Sequence, residues 1–275
     1  HGAPAAVVLA RLQQQIETDI GITVSVGLSA NKFLAKIASD LDKPRGFSVI
    51  GGDEAQAFLA PRPVAILPGA GPAMVRGLEA AGFRPVGALA RADPKALAKR
   101  FGAYGLRLFQ LAHGQDARAV DPDQTRKGIS AETTFEADHA DLPGLEDRLW
   151  PLCERVARTC RQEGVAARAV VLKLKTPDFR LITRRRTLAI PTQTARSLFA
   201  VARELLAGEA NGRAFRLIGV GVQDLAEAGD IGVDLFGAQE ARVLKNEQAV
   251  DALRARFGSA AVLSGRALKP RAREE

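Results

Sequence analysis

Lys173 and Lys175 alternate with Leu172 and Leu174, so a strand through this segment turns both ammonium groups to one side and both leucines to the other. Arg180 and the run Arg184-Arg185-Arg186 follow in what reads as the adjacent strand. Cations gathered on one sheet face repel one another unless a polyanion neutralises them. Phe179 is the one aromatic near this patch, which favours contact with phosphates over stacking of bases. A solvated strand with no ligand is the plain alternative.

Two further groups suit phosphate oxygens. Leu67-Pro68-Gly69-Ala70-Gly71-Pro72 reads as a tight turn into a helix, with Gly69 and Gly71 giving positive φ and room for another backbone. The free N–H groups and positive dipole end of that helix fit a phosphate of a duplex backbone without reading its sequence. An ordinary helix–helix corner has the same residues. Lys43 stands next to Pro44 on a turn, where its ammonium is held with little freedom, as a triphosphate contact needs. Lys36, on the helix before it, is a second candidate, and an unliganded surface lysine is the alternative for both.

The whole composition agrees with an anionic partner. Among 275 residues, 39 Lys and Arg stand against 31 Asp and Glu, a net charge of +8, and 47% of the residues are hydrophobic. Such a chain builds real cores and is long enough for two or three domains. No apolar run is long enough to span a membrane, and none resembles a signal peptide. Cys153 and Cys160 share one helix face and fit no metal spacing, so they read as reduced core thiols of a cytosolic protein.

The elements that must position these groups follow from periodicity. A helix over 5–20 with Gly21 at its C-cap precedes a strand through Ile22, Val24, Val26 and Leu28. Ser29 is the expected N-cap of a helix over 30–39, and Phe47 to Ile50 returns as a strand. Short helices punctuated by Gly and Pro follow to Gly114, with Asp53 as one cap and Asp93-Pro94 as another. Residues 115–127 are polar and read as a linker. Beyond it the pattern is strand 129–135, helix 144–163, strands 168–175 and 180–188, helix 193–207 and strand 215–222. That βαββαβ order is the split βαβ arrangement of ferredoxin-like folds. A last helix over 239–257 is expected to face inward through Val243, Val250 and Phe257. The fold class is therefore α+β and multidomain.

Read in order, these segments resemble the translesion, or Y-family, DNA polymerases of bacteria. Val24-Ser25-Val26-Gly27-Leu28-Ser29-Ala30-Asn31-Lys32-Phe33-Leu34-Ala35-Lys36-Ile37-Ala38-Ser39-Asp40, with Lys43-Pro44, is similar to the family's late-palm signature. The 67–71 turn resembles its thumb hairpin, and Arg126-Lys127-Gly128-Ile129-Ser130-Ala131-Glu132 the start of its little finger. Leu172 to Lys175 and Thr183 to Leu188 resemble the DNA-facing sheet of that domain.

The resemblance implies residues 1–51 as the C-terminal part of a palm, 52–114 as a helical thumb, 115–127 as linker, 128–223 as little finger and 224–275 as tail. It implies template-directed nucleotidyl transfer with two Mg²⁺ ions, with primer–template DNA and a deoxynucleoside triphosphate as substrates. Lys43 and Lys36 become nucleotide contacts. Gly69, Gly71, Arg126, Lys127, Lys173, Lys175, Arg184, Arg185 and Arg186 become DNA contacts. The family's metal carboxylates lie upstream of its late-palm signature, and Glu17, Asp19, Asp40 and Asp42 match none of them. No catalytic or metal residue is therefore assigned, and the expectation is an inactive piece of a longer enzyme. Asp234-Leu235-Phe236 resembles a sliding-clamp peptide, although a local contact of Leu235 and Phe236 accounts for it equally. A monomer in the bacterial cytoplasm, near the nucleoid and with no membrane partner, completes the expectation. The alternatives are a non-catalytic DNA-binding or clamp-associated module and an inactive partner of another polymerase.

Overall fold

The computed structural model describes residues 2–123, 125–228 and 235–265, with the side chains of 235–238 left aside. The chain divides into two compact units, residues 1–123 and 124–275.

In the first unit, α1 (Ala5–Ile20) ends at Gly21, whose N–H donates to the Glu17 carbonyl at 3.1 Å. Strands β1 (Val26–Ser29) and β2 (Phe47–Ile50) pair in parallel, joined through α2 (Lys32–Leu41). β1 is shorter than the alternation from Ile22 suggests, because β2 offers partners only from Val26 onward. Before that point the Gln13 amide takes up backbone carbonyls instead, donating to Val24 at 2.9 Å and Gly46 at 3.2 Å. Ile22 is left exposed. Ser29 does not cap α2: its hydroxyl donates to the Ile50 carbonyl within the sheet, and Asn31 caps, its Oδ1 accepting from Leu34 N–H at 3.0 Å.

Five short helices follow: α3 (Ala55–Leu59), α4 (Pro72–Ala80), α5 (Val86–Ala90), α6 (Pro94–Phe101) and α7 (Ala103–Ala112). Asp93 caps α6 as its place before Pro94 predicts, while Asp53 does not cap α3, where Glu54 holds the N-cap position without a side-chain bond. One apolar core runs from Phe33, Leu34 and Ile37 of α2 to Leu59, Leu78, Leu97 and Leu108 of these helices. Leu12, Ile22 and Val49 stay outside it, on the surface.

The second unit contains β3 (Gly128–His139), α8 (Leu142–Gln162), β4 (Val165–Lys175), β5 (Leu181–Thr192), α9 (Ala195–Ala207) and β6 (Phe215–Glu227). The strands form an antiparallel sheet in the order β3-β6-β4-β5. Each crossover is split by one strand, β6 between β3 and β4, and β4 between β5 and β6. The order itself departs from the ferredoxin-like one, whose centre holds the first and third strands of the motif. Asp141 and Thr194 cap the helices, accepting from Gly144 N–H at 2.7 Å and Ser197 N–H at 3.3 Å. Leu145, Leu149 and Val156 of α8 and Leu198 and Leu206 of α9 pack on Val170, Leu172, Leu174, Ile218 and Val220 of the sheet. Both helices therefore cover one face and leave the other open. Cys153 and Cys160 lie in this core, where burial pushes the Cys160 thiol up to about 11 and Cys153 further.

The last helix is α10 (Leu235–Phe257). Val243 and Val250 lie half-buried on the docked face, as expected, with Val250 near Trp150 and Arg161, whereas Phe257 is exposed. Acidic side chains of the same face carry its polar contacts. Glu240 accepts from the Thr194 and Ser197 hydroxyls, both at 2.7 Å. Glu247 accepts from the Ala195 N–H at 2.9 Å and from Arg161 at 2.5 Å, and Asp251 from Arg161 at 2.7 Å.

Candidate nucleic-acid interface

The open face of the four-stranded sheet is set by register. Lys173 stands opposite Thr183 and Val171 opposite Arg185, and these residues face away from the core leucines. Lys173, Lys175 and Arg185 are thus the cations of β4 and β5 on that face. Arg184 and Arg186 pair with Leu172 and Val170 and so lie on the helix side of the edge strand. Arg184 reaches Glu209 at 2.7 Å, just past the end of α9, and Arg186 reaches Glu204 on α9. The three consecutive arginines cannot share a face because strand side chains alternate, which corrects the expectation of one uniformly basic surface.

Glycines floor the middle of the face. Gly219 of β6 lies between Glu132 and Lys173, and Gly221 between Ser130 and Val171. A Cβ on Gly219 would stand 2.8 Å from the Glu132 Cβ, and one on Gly221 3.1 Å from the Ser130 Cβ. The result is a shallow groove of about 280 Å³ with Glu132 and Lys173 at its edge. The Lys173 ammonium pairs with Glu132 at 2.5 Å, and Arg185 pairs with Asp224. These pairs are exposed, so each is worth only about 0–1 kcal/mol and readily gives way to a phosphate. Lys175 has no carboxylate partner among the described residues. Arg126 is turned to Glu163 at 3.1 Å, and Lys127 is exposed beside it. The glycines of β6 are the feature that sequence reasoning missed; a Gly-x-Gly within an otherwise apolar strand is its signal.

In the first unit the hairpin at 67–72 separates its two glycines. Gly69 has φ 91°, and a Cβ there would stand 2.3 Å from the hydroxyl of Tyr104, which donates to the Pro68 carbonyl at 3.3 Å. Burial raises the Tyr104 phenol, against the pull of Arg107. Gly71 has an ordinary φ of −66°, contrary to the expectation of positive φ at both positions, and a Cβ there would meet nothing within 4 Å. It is the N-cap of α4, and no side chain closes that helix end.

Lys36 lines a cavity of about 660 Å³ together with Asp40 and residues 67–71 of the hairpin. Lys36 and Lys43 meet on one carboxylate: Asp40 takes Lys43 at 2.5 Å and Lys36 at 3.3 Å. Those two hydrogen bonds, Lys43 first, hold the Asp40 carboxyl below its ordinary range. An anion could displace Asp40 and find both ammonium groups within reach of one another.

The acids near this pair do not fit a divalent metal site. Asp40 is held by two lysines, Glu17 by Arg45 at 2.9 Å, and Asp42 accepts from the Ser48 hydroxyl. No group of three or more His, Cys, Asp or Glu among the described residues is arranged to hold a metal. Asp234 lies outside the described residues, and Leu235 and Phe236 open α10 with side chains that are likewise outside them.

Comparison with known proteins bears on both units. Residues 3–40 match the impB/mucB/samB family and residues 126–235 the C-terminal domain of that family. A protein of Caulobacter vibrioides named DNA polymerase IV is 64% identical over 98% of this chain and 67% of its own length. DNA polymerase IV 1 of Mesorhizobium japonicum is 49% identical, and DNA polymerase IV of Brucella melitensis 47%. Each aligns over 96% of this chain, which spans 61% and 60% of them. A solved Y-family DNA polymerase chimaera shares the fold, with TM-score 0.61 and 23% identity over 81% of this chain and 64% of that one. At such identities over almost its whole length, the chain belongs to the Y-family DNA polymerases, the impB/mucB/samB family.

Proposed function

We propose that this chain is the DNA-gripping part of an error-prone translesion polymerase of the kind its relatives' name denotes. The observation that carries the reading is the open sheet face, where Lys173 lines a glycine-floored groove and Lys175 and Arg185 share its face. A backbone can lie close on glycines while the flanking cations neutralise its phosphates, which gives grip without sequence preference. The unclosed N-terminus of α4 beside Gly71 supplies a second backbone contact. Lys43 and Lys36 are the candidate contacts of the incoming triphosphate.

In the complete polymerase, two Mg²⁺ ions would neutralise the triphosphate and activate the primer hydroxyl. Asp40 is held by Lys36 and Lys43, Glu17 by Arg45 and Asp42 by Ser48, and we assign no step of that chemistry to them. Sliding-clamp contact through 234–236, a monomeric state and a place in the bacterial cytoplasm near the nucleoid belong to the same proposal. No helix among the described residues is long and apolar enough to cross a membrane.

The test pairs fluorescence anisotropy with primer extension on one labelled primer–template, with Mg²⁺ and nucleotides present. We expect binding without extension. Extension by this chain would mean that its own acids do hold the metals, and failure to bind would remove the proposed grip.

A further inference from the structure

Phe179 sits at the tip of the β4–β5 hairpin with 64% of its surface exposed, in a backbone conformation at φ 63° that bulky residues rarely adopt. The turn enforces that conformation. Thr176 N–H donates to the Arg180 carbonyl at 3.0 Å, and Phe179 N–H to the Thr176 carbonyl at 2.9 Å. The Thr176 hydroxyl also bonds Asp178 and accepts from Arg180 N–H at 3.2 Å. The turn accounts for the positive φ but not for an exposed aromatic ring where Gly or Asn would fit without strain, and strain of this kind gathers at binding sites.

The ring is also prepared for a partner. The Arg216 guanidinium lies 4.0 Å from its centroid and the Lys175 ammonium 5.9 Å, so cations flank an aromatic surface that remains mostly open. In the same turn, a polar groove of about 540 Å³ is lined by Arg180, Arg184 and Arg213, with Thr176 and Thr183 beside them. Arg184 and Arg213 share Glu209, at 2.7 and 3.9 Å, while Arg180 makes no ion pair within 4 Å among the described residues and feels the charge of Asp178, which also lines the groove. An open ring, flanking cations and an adjacent arginine groove are the parts from which stacking sites for single strands are made.

We propose that Phe179 stacks an unpaired base of a DNA strand where it leaves the duplex, with the neighbouring phosphate in the groove of Arg180, Arg184 and Arg213. This rests on the reading that the open sheet face grips duplex DNA, and it adds a single-stranded segment to the ligand. Phosphate contact along the sheet and base stacking at its tip are then separate tasks of one domain.

The test compares a blunt hairpin duplex with the same duplex carrying a short 5′ overhang, with 2-aminopurine in the overhang, on the 275-residue chain. The wild-type chain should prefer the overhang DNA and quench 2-aminopurine. Phe179→Leu keeps the apolar bulk at the strained position; it should weaken overhang binding about five- to tenfold or more and abolish the quenching, with blunt-duplex affinity unchanged. Phe179→Trp should keep both preference and quenching. A Phe179→Leu chain that binds overhang DNA as the wild type does, or that loses both DNAs equally, overturns the stacking role. A wild-type chain that binds duplex with no preference for the overhang overturns it as well while leaving the duplex reading intact. Binding to neither DNA overturns both.

Discussion

A methyl group on Gly69 would stand 2.3 Å from the Tyr104 hydroxyl, whereas one on Gly71 would meet nothing within 4 Å. The two glycines of the hairpin are thus separable by substitution. Gly69→Ala places a Cβ at φ 91° and drives it into Tyr104, so it should cost at least about 1–2 kcal/mol, visible as a lowered melting temperature. Gly71→Ala should melt like the wild type and yet bind duplex DNA more weakly, since only an approaching backbone would feel the new methyl group. Equal melting of the two variants would contradict the Tyr104 contact, and undiminished binding by Gly71→Ala would remove the hairpin from the interface. A similar economy governs Lys43 and Lys36: Asp40 keeps both ammonium groups together until an anion replaces it.

The alternation of Lys173 and Lys175 with buried leucines is a local signal, and with the helical pattern over 144–163 and 193–207 it made the βαββαβ order legible, whereas the Asp141 and Thr194 caps emerge only in the structure. The alternation also implies that Arg184 and Arg186 leave the open face, a consequence hidden by the chemical likeness of three adjacent arginines. Their partners Glu209 and Glu204 come from the end of another helix and carry no local signature. α10 was legible as a helix with Val243 and Val250 inward, but the polar part of its attachment was not, because Glu240, Glu247 and Asp251 bond residues distant in sequence. Asp234, Leu235 and Phe236 gain nothing from the geometry, as they fall at the limit of the described residues.

That mode of attachment is testable. The Arg161 side chain is only 8% exposed and bridges Glu247 and Asp251 at 2.5 and 2.7 Å. Arg161→Ala should cost about 1.5–3 kcal/mol and speed hydrogen exchange in α10 ahead of the sheet. Burial raises the Glu247 carboxyl despite Arg161, so the folded chain holds this proton more tightly than the unfolded one. Its contribution to stability therefore declines as pH rises through the raised value. Unchanged exchange in α10 would mean that the acidic contacts do not hold the helix.

For the whole molecule, a net charge of +8 allows a polyanion to bind almost anywhere, whereas the account locates the grip on one face. The two possibilities differ in how individual cations enter the salt dependence of binding. A general attraction spreads over the surface, and no single exposed arginine matters more than another. A defined interface gives each phosphate-contacting cation its own share of the counterion release, about 0.9 in the log–log slope. The most direct measurement is the slope of duplex-DNA affinity against salt for the wild type, Arg185→Ala and Arg186→Ala. Arg185 and Arg186 are neighbours of the same charge, similarly exposed and each paired with one acid, but they face opposite sides of the sheet. The account predicts a slope reduced by about one for Arg185→Ala and unchanged for Arg186→Ala, with no preference among sequences. Equal reductions in both variants, or a wild-type affinity indifferent to salt, would contradict it.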